Sequence, residues 1–309
     1  MDFSFLRALD YTDQDFWVNA PLAPLTWFKV GGPAACLLQP KNTARLPELL
    51  VHCSYEEIPV FFLGDGSNLL VSDSGFPGLV ISTRGLAPQE VTIDGEKYEH
   101  TFSAGSLVND VVRVCCEHNH AGMQDFYGLP GTVGGAAFMN ARCYEAEWSQ
   151  IFVRAKVLLP NGQVRTVHKD NSQWDYKVSP FQGLGCLIEE VTVRLSEGPG
   201  SEELMNIARA RYSDREAKGH FRAPCAGSIF KNNREFGQPS GKIIDSLGLR
   251  GFAVGGACVS PDHANIIINN GDATAKNIYD LAMHVQQKVK DAYGYNLEPE
   301  VVFLGNFED

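Results

Sequence analysis

The sequence contains no apolar run approaching the ~20 residues that a membrane-spanning helix needs. Its first residues, Met1-Asp-Phe-Ser-Phe-Leu-Arg7, lack a basic n-region and an uninterrupted apolar core, so no signal peptide is expected. None of the 8 cysteines forms a C-x-x-C pair, and none stands at zinc spacing with histidine, which leaves no metal site to propose. Buried, reduced thiols in a cytoplasmic protein are the expectation instead. The formal net charge is -11, and an acidic chain with scattered basic residues is a poor partner for nucleic acid or an anionic membrane surface. No G-x-G-x-x-G follows a strand and no G-x-x-x-x-G-K-[ST] occurs, so neither the Rossmann fingerprint nor the P-loop is supported. Internal repeats and low-complexity segments are also missing. With 44% hydrophobic and 20% charged residues over 309 positions, the chain has the composition of a globular protein of two or three domains.

What the sequence does have is glycine in clusters. The densest is Asp125-Phe-Tyr-Gly-Leu-Pro-Gly-Thr-Val-Gly-Gly-Ala-Ala-Phe-Met-Asn140, with Gly128, Gly131, Gly134 and Gly135 around Pro130. Glycine lacks a Cβ and tolerates positive φ, so such a stretch can bring bare N–H groups against an anion, a diphosphate above all. Tight turns between strands are the alternative, and glycine alone does not separate the two. A second small-residue loop, Gly64-Asp-Gly-Ser-Asn-Leu-Leu-Val71, follows the apolar run Val60–Leu63.

Taken in order, residues 1–20 are weakly patterned and read as a peripheral arm or short helix. A strand is expected over 35–39. Asn42 or Thr43 is a candidate cap for a helix carrying Leu46, Leu49 and Leu50. Val60–Leu63 and Leu79–Thr83 read as further strands, giving a small α/β unit over residues 1–85. A strand at 100–103 precedes a helix capped by Ser106, with Leu107, Val111, Val114 and Cys115 at helical spacing. Pro160-Asn-Gly162 between 152–159 and 163–168 predicts a hairpin. The irregular loop 174–181 and a strand over 186–195 close a second unit, residues 86–197. Gly198-Pro-Gly-Ser201 marks the boundary to a third, residues 198–309. It holds a helix from Glu202 with Leu204, Ile207 and Ala208 on one side, and a short helix at 242–247 ended by Gly248. A strand over 265–269 follows, then a long helix capped by Thr274 with Ile278, Leu281, Val285 and Val289 as its stripe, and a final strand over 298–304.

Six segments in register resemble the UDP-N-acetylenolpyruvoylglucosamine reductase (MurB) family of flavoenzymes. They are Thr26-Trp-Phe-Lys-Val-Gly-Gly-Pro-Ala34, Gly64–Val71, Gly128–Ala136 with Met139-Asn140, and Ala226-Gly-Ser-Ile-Phe-Lys-Asn232. Gly255–Ser260 with His263-Ala-Asn265, and Leu297-Glu-Pro-Glu-Val301, complete the set. The resemblance spans roughly residues 20–305. It implies an α+β, vanillyl-alcohol-oxidase-type FAD-binding fold with two FAD-binding subdomains and a C-terminal α/β substrate domain. The implied function is NADPH-dependent reduction of the enolpyruvyl ether of UDP-N-acetylglucosamine to UDP-N-acetylmuramate. That step belongs to peptidoglycan precursor synthesis, and so to cell-wall biogenesis, cell shape and cell division. NADPH is implied as co-substrate, and a monomer is expected. Because the two glycine loops contain no histidine or cysteine, the flavin is expected to be non-covalent.

The resemblance assigns FAD contacts to Thr26 and Gly31, to Gly64, Gly66, Ser67 and Asn68, and to Gly128, Pro130, Gly131, Thr132, Gly134, Gly135, Ala136 and Asn140. It assigns substrate contacts to Tyr176, Lys231 and Asn232. Ser228 falls on the family's proton-donating serine and Glu300 on its catalytic glutamate, which acts in protonated form. Glu298 shares a strand face with Glu300 by alternation, and only the motif register favours Glu300. Two departures stand out. Lys177 occupies the place of an arginine and supplies charge without the planar fork. In Asn140-Ala-Arg-Cys-Tyr144, Arg142 replaces a small residue, and reaching a phosphate, pairing with an acid and remaining solvated all stay open. Two rivals also stay open: a flavin oxidase of a small alcohol or hydroxy acid, and a nucleotide-binding protein without catalysis.

Overall fold

The computed structural model describes residues 1–93 and 95–308. They group into two compact units. One comprises Met1–Val18, Cys36–Asp65 and Gly78–Ser213, and the other Asn19–Ala35, Gly66–Pro77 and Asp214–Asp309.

The first unit is built on an antiparallel five-stranded sheet. Its order is Val164–His168, Phe152–Leu158, Leu187–Arg194, Glu99–Ser103, Gly95–Glu96. Asn161-Gly162 makes the expected hairpin: Gly162 lies at φ +78° and Leu159 N–H donates to the Gln163 carbonyl. The helix Val108–Glu117 buries Val108, Val111, Val112, Val114, Cys115 and Cys116 against this sheet's core, which also takes in Phe126, Trp148, Phe152 and Phe181. Val60–Leu63 pairs in parallel with the strand Phe76–Ser82 from Leu79 onward. The helix Leu46–Tyr55 buries Leu46, Leu49, Leu50 and Cys53.

The second unit pairs Ala253–Val254, Ala257–Val259 and Ile267–Asn269 in one antiparallel sheet, and Leu69–Val71 with Val302–Leu304 in parallel. Its long helix, Ala275–Tyr293, begins with a capping box. Thr274 Oγ1 accepts the Asn277 N–H (3.1 Å) while Asn277 Oδ1 accepts the Thr274 N–H (3.2 Å). The expected stripe of Ile278, Leu281, Val285 and Val289 is buried in the unit's core.

Five sequence expectations are corrected. Residues 1–20 form a one-turn helix, Phe5–Ala8, and also the strand Phe16–Pro21. Arg45, not Asn42 or Thr43, is the N-cap of the first long helix; Asn42 Oδ1 instead accepts the Ala44 N–H in a local turn. Ser106 does not cap the next helix. Leu107 does so from extended backbone, because a bridge between Leu107 and Thr132 pulls this corner onto the glycine loop, and the Ser106 hydroxyl is left buried without a partner. The strands expected over 265–269 and 298–304 shrink to Ile267–Asn269 and Val302–Leu304. The eight cysteines are all buried and none is joined in a disulfide, as expected. Burial pushes the thiols of Cys36 and Cys115 up to about 12, and those of Cys53, Cys116 and Cys186 to about 11, so none is poised to react. Among the described residues no helix is long and apolar enough to cross a membrane, and no cluster of acids, cysteines and histidines has metal-binding geometry.

Candidate active site

In the first unit the two glycine loops meet. A Cβ on Gly64 would lie 2.9 Å from Thr132 Oγ1, so only glycine lets these segments close on each other. The second loop is less bare than its composition suggests. Gly128 N–H donates to Asn109 Oδ1 (2.7 Å), Val133 N–H to the Ser106 carbonyl and Gly134 N–H to the Ala104 carbonyl (both 2.9 Å). Gly135 N–H donates to Thr132 Oγ1 (3.2 Å), which caps the short helix Val133–Phe138. A Cβ on Gly134 would meet that of Ala104 at 2.7 Å. Two amides, Gly131 and Thr132, donate to no acceptor among the described residues. They stand at the junction with Gly64, with Gly131 at φ +124°. The broad nest expected from glycine count is therefore a pair of donors on a rigid frame, which suits a phosphate. Pro130 and Ala136 belong to the same frame, and Ala136 is buried.

Asn140 anchors rather than presents. Its Nδ2 donates to Glu147 Oε1 (2.6 Å) and the Asp175 carbonyl (2.8 Å), and its Oδ1 accepts the Ser149 N–H (2.9 Å). That holds one end of the loop bearing Tyr176 and Lys177. The other end is held by Ser179 Oγ, which donates to the Phe138 carbonyl (2.6 Å). Asp175 and Val178 exchange N–H···O bonds across a two-residue turn, with Tyr176 and Lys177 at its tip. Lys177 sits at φ +59°, left-handed backbone that costs a non-glycine residue about 1–2 kcal/mol. Arg142 is half-buried, in register with Glu147 in a short strand pair. Asp125, at the head of the glycine stretch, pairs with Arg211 (2.7 Å), whose guanidinium lies 4.3 Å from the Tyr144 ring centre. The sequence reading missed both this pair and Asn109, since neither follows a local pattern.

In the second unit, Gly66 has φ +63°, and a Cβ there would lie 2.1 Å from the Leu25 carbonyl oxygen. Its own carbonyl accepts the Trp27 N–H (3.0 Å). Thr26 is buried, with Oγ1 at 3.1 Å from the Ala23 carbonyl and 3.0 Å from that of Val30, so its hydroxyl closes the 23–30 turn. Gly31, at φ +122°, lies where a Cβ would meet that of Val71 at 2.7 Å. Asn68 follows Ser67 and joins this loop to the C-terminal motif. Its Nδ2 donates to the Glu300 carbonyl (3.0 Å), and its own carbonyl accepts the Val302 N–H (3.0 Å).

The same unit lays Ser228–Lys231 between two other segments. Ile229 N–H donates to the Asn265 carbonyl (2.8 Å), Glu300 N–H to the Ile229 carbonyl (2.7 Å), and Lys231 N–H to the Glu298 carbonyl (2.9 Å). Lys231 Nζ pairs with Glu298 Oε1 (2.5 Å), which separates the two glutamates: Glu298 faces the lysine. The Glu298 side chain is 70% exposed, so this ion pair is worth less than about 1 kcal/mol and yields readily to an anion. Asn232 Oδ1 accepts the Ser240 N–H (2.8 Å), and Ser240 Oγ donates to the Lys231 carbonyl (2.7 Å).

His220 and His263 have ring centres 6.1 Å apart. Burial, then the neighbouring Arg215, pulls His220 down to about 4. The unfolded chain takes up its proton near 6.5 while the folded chain stays neutral. Stability is therefore full above pH 6.5 and falls as pH drops towards 4. Between pH 7 and pH 5 the expected loss is about 1–2 kcal/mol, after allowance for partial exposure. Urea midpoints at the two pH values measure it, and His220→Gln should flatten the difference. An unchanged difference in that variant would assign the acid lability to other groups.

Two family models match this chain: "FAD binding domain" over residues 34–168, and "UDP-N-acetylenolpyruvoylglucosamine reductase, C-terminal domain" over residues 219–304. The UDP-N-acetylenolpyruvoylglucosamine reductase of Treponema denticola is 42% identical over 302 residues, covering 93% of each chain. That of Clostridium perfringens is 36% identical over 305 residues, covering 99% of this chain and 98% of its own. The crystal structure of UDP-N-acetylenolpyruvylglucosamine reductase (MurB) from Thermus caldophilus superposes with a TM-score of 0.77 at 30% identity. It covers 94% of this chain and 98% of that one. The FAD-binding fold expected from the motifs is thus the fold of this protein. Two independently matched domains, nearly full-length relatives and a superposable structure agree: the chain belongs to the UDP-N-acetylenolpyruvoylglucosamine reductase (MurB) family.

Proposed function

We propose that this protein is a cytoplasmic, monomeric, NADPH-dependent reductase. It converts the enolpyruvyl ether of UDP-N-acetylglucosamine to UDP-N-acetylmuramate for peptidoglycan synthesis, with non-covalent FAD. The observation that carries the reading is the hydrogen-bonded alignment of Ser228–Lys231 with Glu298–Glu300, inside a domain that matches the family's own C-terminal model. Residues 1–85 and 86–197 are read as FAD-binding subdomains and 198–309 as the substrate domain.

When bound, FAD supplies the hydride, taken from NADPH and delivered to the terminal vinyl carbon. The residues fit such a group. Gly131 and Thr132 offer two uncommitted N–H donors beside Gly64, and Gly66, Ser67 and Asn68 follow in the same loop. Thr26, Gly31, Gly128, Pro130, Gly134, Gly135, Ala136 and Asn140 hold these loops in shape.

The chain's own groups handle the rest. Lys231 and Asn232, with Tyr176, bind the nucleotide diphosphate of the substrate, Lys231 exchanging Glu298 for phosphate. Lys177 and the Glu300 carboxyl stabilise the negative charge that grows towards the substrate carboxylate, and such preorganised groups are often the largest catalytic term. Ser228 then delivers a proton to the adjacent carbon, giving the lactyl ether.

The cheapest test is the purified protein itself. It should carry oxidised flavin, released by heat or acid and identified as FAD rather than FMN. A colourless protein that takes up no added FAD would overturn the proposal.

A further inference from the structure

Ser228 and Ile266 form an isolated antiparallel bridge, and continuation of that ladder would pair Phe230 with Ala264. The chain turns before it can do so. Ile266 N–H donates back to the His263 carbonyl (2.9 Å) and Asn265 N–H to His263 Nδ1 (3.2 Å), which removes the backbone of 264 from the ladder. The Asn265 side chain takes its place. Its Oδ1 accepts the Phe230 N–H (3.1 Å), and its Nδ2 donates to the Phe230 carbonyl (2.8 Å). A primary amide presents one acceptor and one donor at about the spacing of a peptide group, so it extends the sheet by one residue where no strand exists. Asn265 is only 3% exposed. Its loss would leave two buried backbone groups of Phe230 without partners.

We propose that Asn265 is a positioning residue that fixes the Ser228–Lys231 segment, and through it the aim of the Ser228 hydroxyl, by standing in for a missing strand. This rests on the role given above to Ser228. Phe230 is held on one edge by this amide, while main-chain bonds join its neighbours Ile229 and Lys231 to Asn265, Glu300 and Glu298. The Asn265 side chain is thus the tie at Phe230 itself, as the Ser240 hydroxyl is at the Lys231 carbonyl. It sits two residues from the proton donor and one from the phosphate-binding lysine.

The test uses the FAD-loaded enzyme with Asn265→Ala and Asn265→Asp. Reduction by NADPH should be unchanged in both, while reoxidation by the enolpyruvyl substrate slows by about 10- to 100-fold. Adding Asn265→Ala to Ser228→Ala should cost less than about a further twofold, since a misaimed donor and a missing donor fail alike. Hydrogen exchange gives a readout independent of turnover. The Phe230 amide should exchange at least ~10-fold faster in Asn265→Ala, with the Ile229 and Lys231 amides still protected. Equal slowing of both half-reactions, full multiplication of the two losses, or an unchanged Phe230 amide would each overturn the proposal. Should the variants fail to fold, the parent decides. A Phe230 amide exchanging there as fast as an unstructured one overturns the clamp, and strong protection supports it. A parent enzyme that is not reoxidised by the enolpyruvyl compound would instead overturn the reading of the function, whatever the exchange shows.

Discussion

Ser228→Ala is expected to leave reduction by NADPH nearly intact and to slow reoxidation by the enolpyruvyl substrate by ~10²- to 10⁴-fold, the range for a positioned proton donor. The asymmetry follows from the order of events. In the proposed mechanism the serine has no part in the first half-reaction, and its proton is needed only once negative charge has formed on the substrate. A hydroxyl is a weak acid, so it can serve only a strongly basic carbanion or enolate, and only if held in place. The structure supplies the hold: Ile229 N–H on the Asn265 carbonyl, Glu300 N–H on the Ile229 carbonyl and the bridge to Ile266 fix the backbone on both sides of the serine. Stopped-flow absorbance measured separately for the two half-reactions checks this. Equal slowing of both would make Ser228 a structural residue.

Lys177→Ala should cost roughly 2.7–4 kcal/mol of transition-state stabilisation, the penalty of losing one preorganised donor at a developing oxyanion. The loss should again fall on the substrate half-reaction, with FAD content unchanged. The backbone sharpens the test. Lys177 occupies left-handed φ at the tip of a turn anchored by Asn140, by Ser179 and by Gln182 Nε2, which donates to the Lys177 carbonyl (3.0 Å). A strained, well-anchored tip is where a side chain is held for a purpose. Lys177→Gly relieves the strain, so this variant should be at least as stable as the parent to urea, yet as slow as Lys177→Ala. Lys177→Arg should keep activity, because the guanidinium preserves the charge and adds the bidentate fork. A Lys177→Gly enzyme with parental turnover would remove the lysine from the mechanism and direct attention to Arg142.

Features with local causes were legible in the sequence. Thr274 and the Ile278–Val289 stripe specify the last long helix, and Asn161-Gly162 specifies its hairpin, because cap, period and turn residues act within a few positions. The glycine loops were legible as loops, but the partners that consume their amides, Asn109 and the carbonyls of Ala104 and Ser106, lie outside the motif. Ser106 looked like a cap until the Leu107–Thr132 bridge moved the helix start. The strand at 16–21 buries only Phe16 and Ala20 and so shows no alternation to read. Residues 66–77 group with the C-terminal part through Leu69–Val71 pairing with Val302–Leu304, and residues 19–35 through contacts such as Asn269 Nδ2 to the Phe28 carbonyl, none of which a nearby residue announces. Asn265 was visible only as part of a motif. Its action on Phe230, and the choice of Glu298 by Lys231, are set by pairings between distant segments.

The most direct measurement of the central claim is an anaerobic two-step titration of the purified holoenzyme. NADPH should bleach the flavin absorbance. The enolpyruvyl ether of UDP-N-acetylglucosamine should then restore it, with one UDP-N-acetylmuramate formed per flavin reoxidised. A protein that NADPH does not bleach, or that once bleached regains its colour only on admitting oxygen, would contradict the account.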